Sequence, residues 1–200
     1  YLGDYSAPYG GWRDARDTPL QALRRLAPSS MKVLSPAPDD DPVAMAKQCD
    51  AALVFTGIHE DEGGDRSLIG LPGGTDGPRA RVQAQASRDH AVIVDENRTV
   101  IAPDDQVALI KALAATGVPV IVVLINGSAV TMQEWLDEVP AVLEAWYPGE
   151  EGSRAIVETL FGDNNPAGRL PVTFPKSVGQ VPIYYNLKPS GRGYGYNDDD

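Results

Sequence analysis

Short runs of consecutive apolar residues alternate along the chain with stretches in which apolar residues recur every three or four positions. The runs at residues 51–56, 118–125 and 141–146 are rich in Ala, Val, Leu and Ile. Continuous runs of this kind are typical of strands that are buried on both faces of a sheet. Two shorter runs, residues 31–34 and 170–174, predict further strands.

Helices are predicted between these strands, and several have recognisable ends. Thr18-Pro19-Leu20-Gln21 supplies an N-cap, a proline at the first helical position and a capping-box glutamine. Asp41-Pro42 begins a second helix by the same logic, and Asp104 or Asp105 caps a third, which stops at Gly117. The remaining predicted helices are residues 132–136 and residues 150–161, the latter followed by Gly162 as a C-terminal cap.

Strands that alternate with helices predict right-handed βαβ units. The predicted fold class is therefore α/β, with a mostly parallel sheet and helices on both faces (an α/β sandwich). In such sheets, ligands bind at the loops beyond the carboxyl ends of the strands. Functional residues are thus expected in residues 57–66, 126–128 and 147–149.

The charge of the chain disfavours several classes of partner. The formal net charge is −11 at pH 7, whereas nucleic acids and anionic membrane surfaces bind clustered Lys and Arg. No apolar run approaches the length that a membrane-spanning helix needs. Cys49 is the single cysteine, so it cannot form an internal disulfide, and its apolar surroundings in sequence predict a buried structural thiol.

The loop after the first long strand concentrates the candidate chemistry. Residues 57–66 read GIHEDEGGDR, with four carboxylates within six positions. Like charges raise one another's pKa, which keeps a carboxylic acid protonated near neutral pH. On this pattern alone, a solvated acidic loop remains the alternative. No metal is expected, because the spacing of a calcium loop is absent and His59 and His90 are far apart in sequence.

Six segments spread along the chain carry longer motifs. They are EGGDR at residues 62–66, IAPDDQVALI at 101–110, VIVVLING at 120–127, PAVLEAWYPGEEG at 140–152, LFGDNNPAGRLPVTFP at 160–175 and YNLKPSGR at 185–192. In this order, they resemble the motifs of the second, α/β domain of family 3 glycoside hydrolases of the β-glucosidase and β-xylosidase type. In that family, the motif E-G-x-D-R follows a strand that ends in glycine.

The resemblance implies a retaining enzyme that uses two carboxyl groups. Carried over by position, Glu62 is the general acid/base, and Glu60 is the runner-up because the register of the loop is open by two residues. Asp65 and Arg66 are expected to brace the loop as a charge-assisted pair. His59 is expected either to bind a sugar hydroxyl or to be an ordinary loop residue.

The second carboxyl group is not expected in this chain. In the family, the nucleophile is an aspartate of a preceding TIM-like barrel domain, and nothing in this sequence resembles that segment. The chain alone is therefore expected to bind sugar weakly and to hydrolyse almost nothing. The first strand of the domain is also expected to precede Tyr1, and a fibronectin-like module to follow the chain.

The resemblance further implies that the substrate carries a terminal β-linked sugar, foremost a β-D-glucoside, and that no cofactor is required. It implies an extracellular or periplasmic location, although the chain itself carries no readable targeting signal. The alternative function is a non-catalytic carbohydrate-binding or scaffold module with the same fold. A flavodoxin-like nucleotide or receiver domain is disfavoured, because no glycine-rich phosphate loop opens a helix. The sugar, the linkage and the oligomeric state are left open.

One stretch departs from the family pattern. About residues 67–100 stand where the family usually has only a few residues, and Leu71-Pro72-Gly73 matches the family's L-P-G without the glutamine that should follow it. Within this insert, two β-rich runs predict a hairpin near residues 90–102, which would rim the substrate site, contact the barrel or decorate the surface. The predicted boundaries are 1–175 for the α/β domain and 176–200 for an extension or linker toward a following module.

Overall fold

The computed structural model describes residues 18–37, 39–58, 68–77 and 106–186. In chain order, the elements of this part are α1 (Pro19–Leu26), α2 (Pro42–Ala46), β1 (Ala52–Thr56), α3 (Gln106–Ala114), β2 (Val120–Leu124), a 3₁₀ turn (Leu136–Glu138), β3 (Ala141–Glu144), α4 (Gly152–Phe161) and a second 3₁₀ turn (Val178–Gln180). The strands form one sheet in the order β1-β2-β3, and both pairings are parallel.

Helices cover both faces of this sheet. Val122 and Val123 in the central strand β2 are both fully buried, although successive side chains of a strand point to opposite faces. On one face, Ile110 of α3 belongs to the cluster around Val122. On the other face, Leu23 of α1 packs with Val157 of α4 in a second cluster. The prediction of an α/β sandwich with a parallel sheet is therefore confirmed.

The local signals at the helix ends are also confirmed. Thr18 Oγ1 accepts from Gln21 N at 3.2 Å, and Thr18 N donates to Gln21 Oε1 at 2.8 Å, which completes the capping box of α1. Asp41 Oδ1 accepts from Val43 N at 2.9 Å at the start of α2. Gly162 follows α4 with a left-handed φ of +82°. The predicted caps Asp104 and Asp105 lie outside the described residues.

Three predicted elements are wrong. Residues 31–34 form no strand: in the described part of the chain β1 has a ladder partner only in β2. Met31 is 50% exposed, so this run lacks the burial of a strand inside a sheet. Residues 170–174 form no strand either, and Pro171 has no N–H to donate to a ladder. Residues 132–136 are not a helix: Trp135 has a non-helical φ of −144° and is buried in the core, directly before the 3₁₀ turn.

Residues 68–77, predicted to begin the insert, pack within the core of the domain. Leu71 is only 1% exposed, and Pro72 O accepts from Val107 N at 3.3 Å, which joins this segment to the start of α3. Asp76 accepts from Val178 N at 2.9 Å and so holds the chain beyond residue 175 against the same segment. The predicted hairpin near residues 90–102 lies outside the described residues.

Candidate functional site

The carboxyl ends of the three parallel strands lie at one edge of the sheet. We call this the C-terminal edge and define it as Thr56, Leu124 and Glu144 with the residues that directly follow each of them. Backbone hydrogen bonds extend the ladder beyond the strands: Ile125 N donates to Thr56 O at 2.8 Å, and Ala145 N donates to Leu124 O at 2.9 Å. The three following segments therefore leave the sheet side by side.

The candidate site residues predicted from the sequence lie outside the described residues; they are His59, Glu60, Glu62, Asp65 and Arg66. The two flanks of the segment that carries them are described. Ile58, which precedes it at the C-terminal edge, is buried. Beyond it, Ile69 O accepts from Thr131 N at 2.9 Å, and Gly70 forms a parallel bridge with Thr131. The segment thus starts at the C-terminal edge and returns to the chain that follows β2.

Gly57 allows β1 to leave the sheet in close contact with β2. Its φ is +154°, and a Cβ atom at this position would lie 2.0 Å from Ile125 O. The side chain of Gln106, the first residue of α3, binds here as well: its Oε1 accepts from Thr56 Oγ1 and, at 3.3 Å, from Gly57 N. Sheet, helix and loop are therefore joined directly before the predicted catalytic segment.

Asn126 and Glu144 form a polar pair at the ends of β2 and β3. Asn126 is fully buried, and its Nδ2 lies 2.7 Å from Ser128 O and 3.3 Å and 3.5 Å from the two carboxylate oxygens of Glu144. Asn126 Oδ1 is buried and has no hydrogen-bond partner. This orientation of the amide follows from chemistry, because a flipped amide would place an oxygen against the carboxylate.

Trp146 and Tyr147 connect this pair to the segment after β1. Trp146 has a φ of +54°, which is a strained value for a bulky residue, and its N–H donates to Glu144 Oε1 at 2.9 Å. Its ring packs edge-to-face against Phe174, with a centroid separation of 5.9 Å. Tyr147 OH makes a long hydrogen bond of 3.4 Å to Ile58 O. The turn after β3 therefore reaches the residue that precedes the predicted catalytic segment.

The loops of this edge are indicated by the sequence, but the roles of Gln106 and Glu144 are not. Gln106 was assigned only to a helix motif, and Glu144 only to a strand. The feature that could have identified them is their position at the ends of elements: Glu144 is the last residue of β3, and Gln106 is the first residue of α3. Polar side chains at such element ends are candidates for the carboxyl edge of a parallel sheet.

A cavity of about 150 Å³ lies beside the Gly70–Thr131 bridge and is lined by Asp76, Glu134, Trp135 and Lys176, among others. Its acidic groups are used in structural hydrogen bonds: Glu134 accepts from Thr75 N, and Asp76 accepts from Val178 N. No group of three His, Cys, Asp or Glu side chains suited to a metal ion is found among the residues that the structure describes. None of the described helices is long and apolar enough to cross a membrane.

Comparison with known proteins gives a family match along the chain. Residues 1–199 match the family model described as "Glycosyl hydrolase family 3 C-terminal domain". Among curated relatives, a periplasmic β-glucosidase of Salmonella typhimurium is 48% identical over 92 residues, which is 46% of this chain and 12% of that protein. β-Glucosidase B of Emericella nidulans is 35% identical over 148 residues, 72% of this chain and 14% of that protein. The chain thus spans a small part of the length of these relatives.

Solved structures match at the level of the fold. A β-glucosidase from Erythrobacter marinus is 33% identical, with a TM-score of 0.56 over 79% of this chain and 18% of that one. A β-glucosidase from Listeria innocua in complex with isofagomine has a TM-score of 0.65 over 96% of this chain and 24% of that one. The second protein is only 24% identical, so this likeness concerns the fold alone.

Proposed function

This chain belongs to the glycosyl hydrolase family 3 C-terminal domain family, and from this membership we propose that it supplies the general acid/base of a retaining β-glycosidase. We assign that role to Glu62, with Glu60 as the alternative two residues earlier. The nucleophile of the proposed reaction is an aspartate on a TIM-like barrel domain of the same enzyme. The substrate we propose is a terminal β-linked sugar, foremost a β-D-glucoside, since the relatives are named β-glucosidases and β-xylosidases.

The observation that carries this proposal is the attachment of the segment around Glu62 to the C-terminal edge. Ile58 is buried at the end of β1, and Ile69 is hydrogen-bonded to Thr131 beyond β2. One described flank of the segment, Ile58, therefore lies at the C-terminal edge, where parallel α/β sheets bind ligands. The acid/base role itself rests on the match of residues 62–66 to the family's motif.

The proposed chemistry needs two steps and two carboxyl groups. In the first step, the barrel aspartate bonds to the anomeric carbon while the glycosidic bond breaks, and the leaving oxygen takes the proton of Glu62. In the second step, the Glu62 carboxylate removes a proton from water, the water oxygen bonds to the anomeric carbon, and the ester to the aspartate breaks. Retaining enzymes hold the two carboxyl groups about 5–5.5 Å apart.

The neighbours of Glu62 have supporting roles in this proposal. Asp65 and Arg66 brace the segment as a charge-assisted pair, and His59 either donates a hydrogen bond to a sugar hydroxyl or is an ordinary loop residue. The insert of about residues 67–100, of which the structure describes residues 68–77, rims the substrate site or contacts the barrel in this proposal, and a decoration of the surface is the alternative. A periplasmic or extracellular location is proposed from the name of the Salmonella typhimurium relative.

Substitution of Glu62 tests the proposal in the full-length enzyme. General acid/base catalysis contributes about 10²- to 10⁴-fold, so Glu62→Gln is expected to lower kcat/KM for phenyl β-glucoside by a factor in that range. Glu60→Gln is the matched control and is expected to stay within about threefold, because a supporting carboxylate transfers no proton. A large loss in Glu60→Gln alone would move the acid/base role to Glu60.

The dependence on a barrel domain is tested with the chain alone. We expect no measurable hydrolysis of p-nitrophenyl β-glucoside by the chain and recovery of turnover when the barrel domain is supplied in trans. Robust turnover by the chain alone would contradict the two-domain account. Full activity in both glutamate variants of the full-length enzyme would favour a non-catalytic carbohydrate-binding or scaffold module.

A further inference from the structure

We propose that Glu144 and Asn126 are positioning residues for the acid/base segment and that they act through Trp146 and Tyr147 on Ile58. The inference rests on the proposed function, since it explains how the segment that contains Glu62 is oriented. It adds a role for two polar residues, one that follows β2 and one that ends β3, whereas the segment with Glu62 follows β1. The contacts run from the polar pair, through the turn after β3, to the backbone that follows β1.

The first step is the polar pair itself. The carboxylate of Glu144 accepts hydrogen bonds from Asn126 Nδ2, at 3.3 Å and 3.5 Å, and from Trp146 N, at 2.9 Å. Hydrogen bonds to an ionised acceptor are stronger than neutral ones. Asn126 is fully buried, and its Nδ2 also bonds to Ser128 O at 2.7 Å. The carboxylate is therefore held on one side by the buried Asn126 and on the other by the backbone N–H of Trp146, in the turn that follows β3.

The second step is the backbone of the turn. Trp146 adopts a φ of +54°, which bulky residues rarely adopt. Such a conformation persists only where the surroundings enforce it, and it is common at functional sites. Here the N–H of Trp146 is bound by Glu144 Oε1, two residues earlier in the chain, and its ring packs against Phe174. Glu144 thus sets the direction in which the chain continues to Tyr147.

The third step is the contact with β1. Tyr147 OH lies 3.4 Å from Ile58 O, and Ile58 is the last described residue before the segment that contains Glu62. Gly57 N is held on its other side by Gln106 Oε1 at 3.3 Å. The backbone at residues 57–58 is therefore held by α3 and by the turn after β3. Small displacements of a catalytic group cost large factors in rate, so a shift of this anchor is expected to impair proton transfer.

The test compares poor and good leaving groups in the full-length enzyme. A phenyl leaving group needs the proton of the acid, whereas a dinitrophenyl group leaves almost without it, so a misplaced acid lowers kcat/KM for the first substrate selectively. We expect Glu144→Gln to lower kcat/KM for phenyl β-glucoside by about 10- to 100-fold and for dinitrophenyl β-glucoside by less than about threefold. Glu138→Gln, an exposed glutamate paired with Lys111 at 3.4 Å, is the matched control and should change neither value.

A second variant keeps the test decisive if Glu144→Gln does not fold. Tyr147→Phe removes only the hydroxyl that reaches Ile58, and we expect a loss of about threefold to tenfold confined to the phenyl substrate. Tyr184→Phe is its control, since Tyr184 is 52% exposed. Equal losses on both substrates, or no loss in either variant, would overturn the positioning role.

A third variant separates this inference from the proposed function. Glu62→Gln, measured on the same two substrates, must itself show the selective loss on phenyl β-glucoside if Glu62 is the acid. A selective loss in Glu62→Gln without one in Glu144→Gln and Tyr147→Phe would overturn only the positioning role. If neither Glu62→Gln nor Glu60→Gln shows the selective loss, the proposed function is contradicted, and the positioning role falls with it.

Discussion

At the scale of single residues, Gly57 packs directly against the backbone that follows β2 at the C-terminal edge. A Cβ atom at Gly57 would lie 2.0 Å from Ile125 O and 2.7 Å from Ile125 C. Ile125 cannot move away freely, because its N–H donates to Thr56 O at 2.8 Å. The position therefore requires glycine for space as well as for its φ of +154°.

Substitution of Gly57 is expected to be costly for this reason. Gly57→Ala should lower the free energy of unfolding of the chain by at least about 2 kcal/mol, because it combines overpacking with a disfavoured backbone conformation. Urea denaturation followed by circular dichroism measures this loss.

Two other glycines separate the contributions of space and backbone. Gly117 has a φ of +81° but open space around its Cβ position, so Gly117→Ala should cost about 1 kcal/mol. Gly168 has open space and no left-handed φ, and Gly168→Ala should stay within about 0.5 kcal/mol. A loss at Gly57 no larger than that at Gly117 would show that the edge relaxes around the added methyl group.

Single residues also show which features of the site can be predicted from the sequence and which cannot. The loops after the strands were predictable, because a buried apolar run that ends in Gly or Asn marks a strand end. The Asn126–Glu144 pair was not, because these residues meet only through the register that pairs Leu124 with Glu144. Register between parallel strands is fixed by packing across the sheet and cannot be read from either strand alone.

At the scale of elements, helix ends were predicted better than strands. The capping box of Thr18 and the left-handed Gly162 depend on neighbours within a few positions, so local sequence specifies them. A strand also needs a partner. Residues 31–34 have a strand-like composition, yet they pair with no strand in the part of the chain that is described.

The capping box of α1 gives a prediction at this scale. Thr18→Ala removes the acceptor of the 3.2 Å bond from Gln21 N and should lower the free energy of unfolding by about 1 kcal/mol. Thermal or urea denaturation of the chain would detect the change. Thr18→Ser keeps a hydroxyl at the cap and should remain close to the original stability. Equal losses in Thr18→Ala and Thr18→Ser would contradict a role for the cap hydroxyl.

At the scale of the whole molecule, helices cover the two faces of the sheet, so the loops at its C-terminal edge are the expected place for a binding site. Both faces are covered, one by the cluster that includes α3 and the other by α1 and α4. The ends of the three strands then remain as the place where loops from different strands converge. The proposed acid/base segment starts at this edge, and the polar pair of Asn126 and Glu144 lies at the same edge. One catalytic carboxyl group from this chain and one from a barrel domain would complete the proposed site.

The most direct test of this account is azide rescue of the Glu62→Ala variant of the full-length enzyme with dinitrophenyl β-glucoside. Without the general base, water hydrolyses the glycosyl-enzyme slowly, whereas azide needs no base to attack the anomeric carbon. We predict that azide raises the rate at least about tenfold and that nuclear magnetic resonance identifies the product as β-glucosyl azide, with retained configuration. Glu60→Ala should show no rescue. An α-glucosyl azide from Glu62→Ala, or rescue seen only in Glu60→Ala, would contradict the assignment of Glu62 as the acid/base.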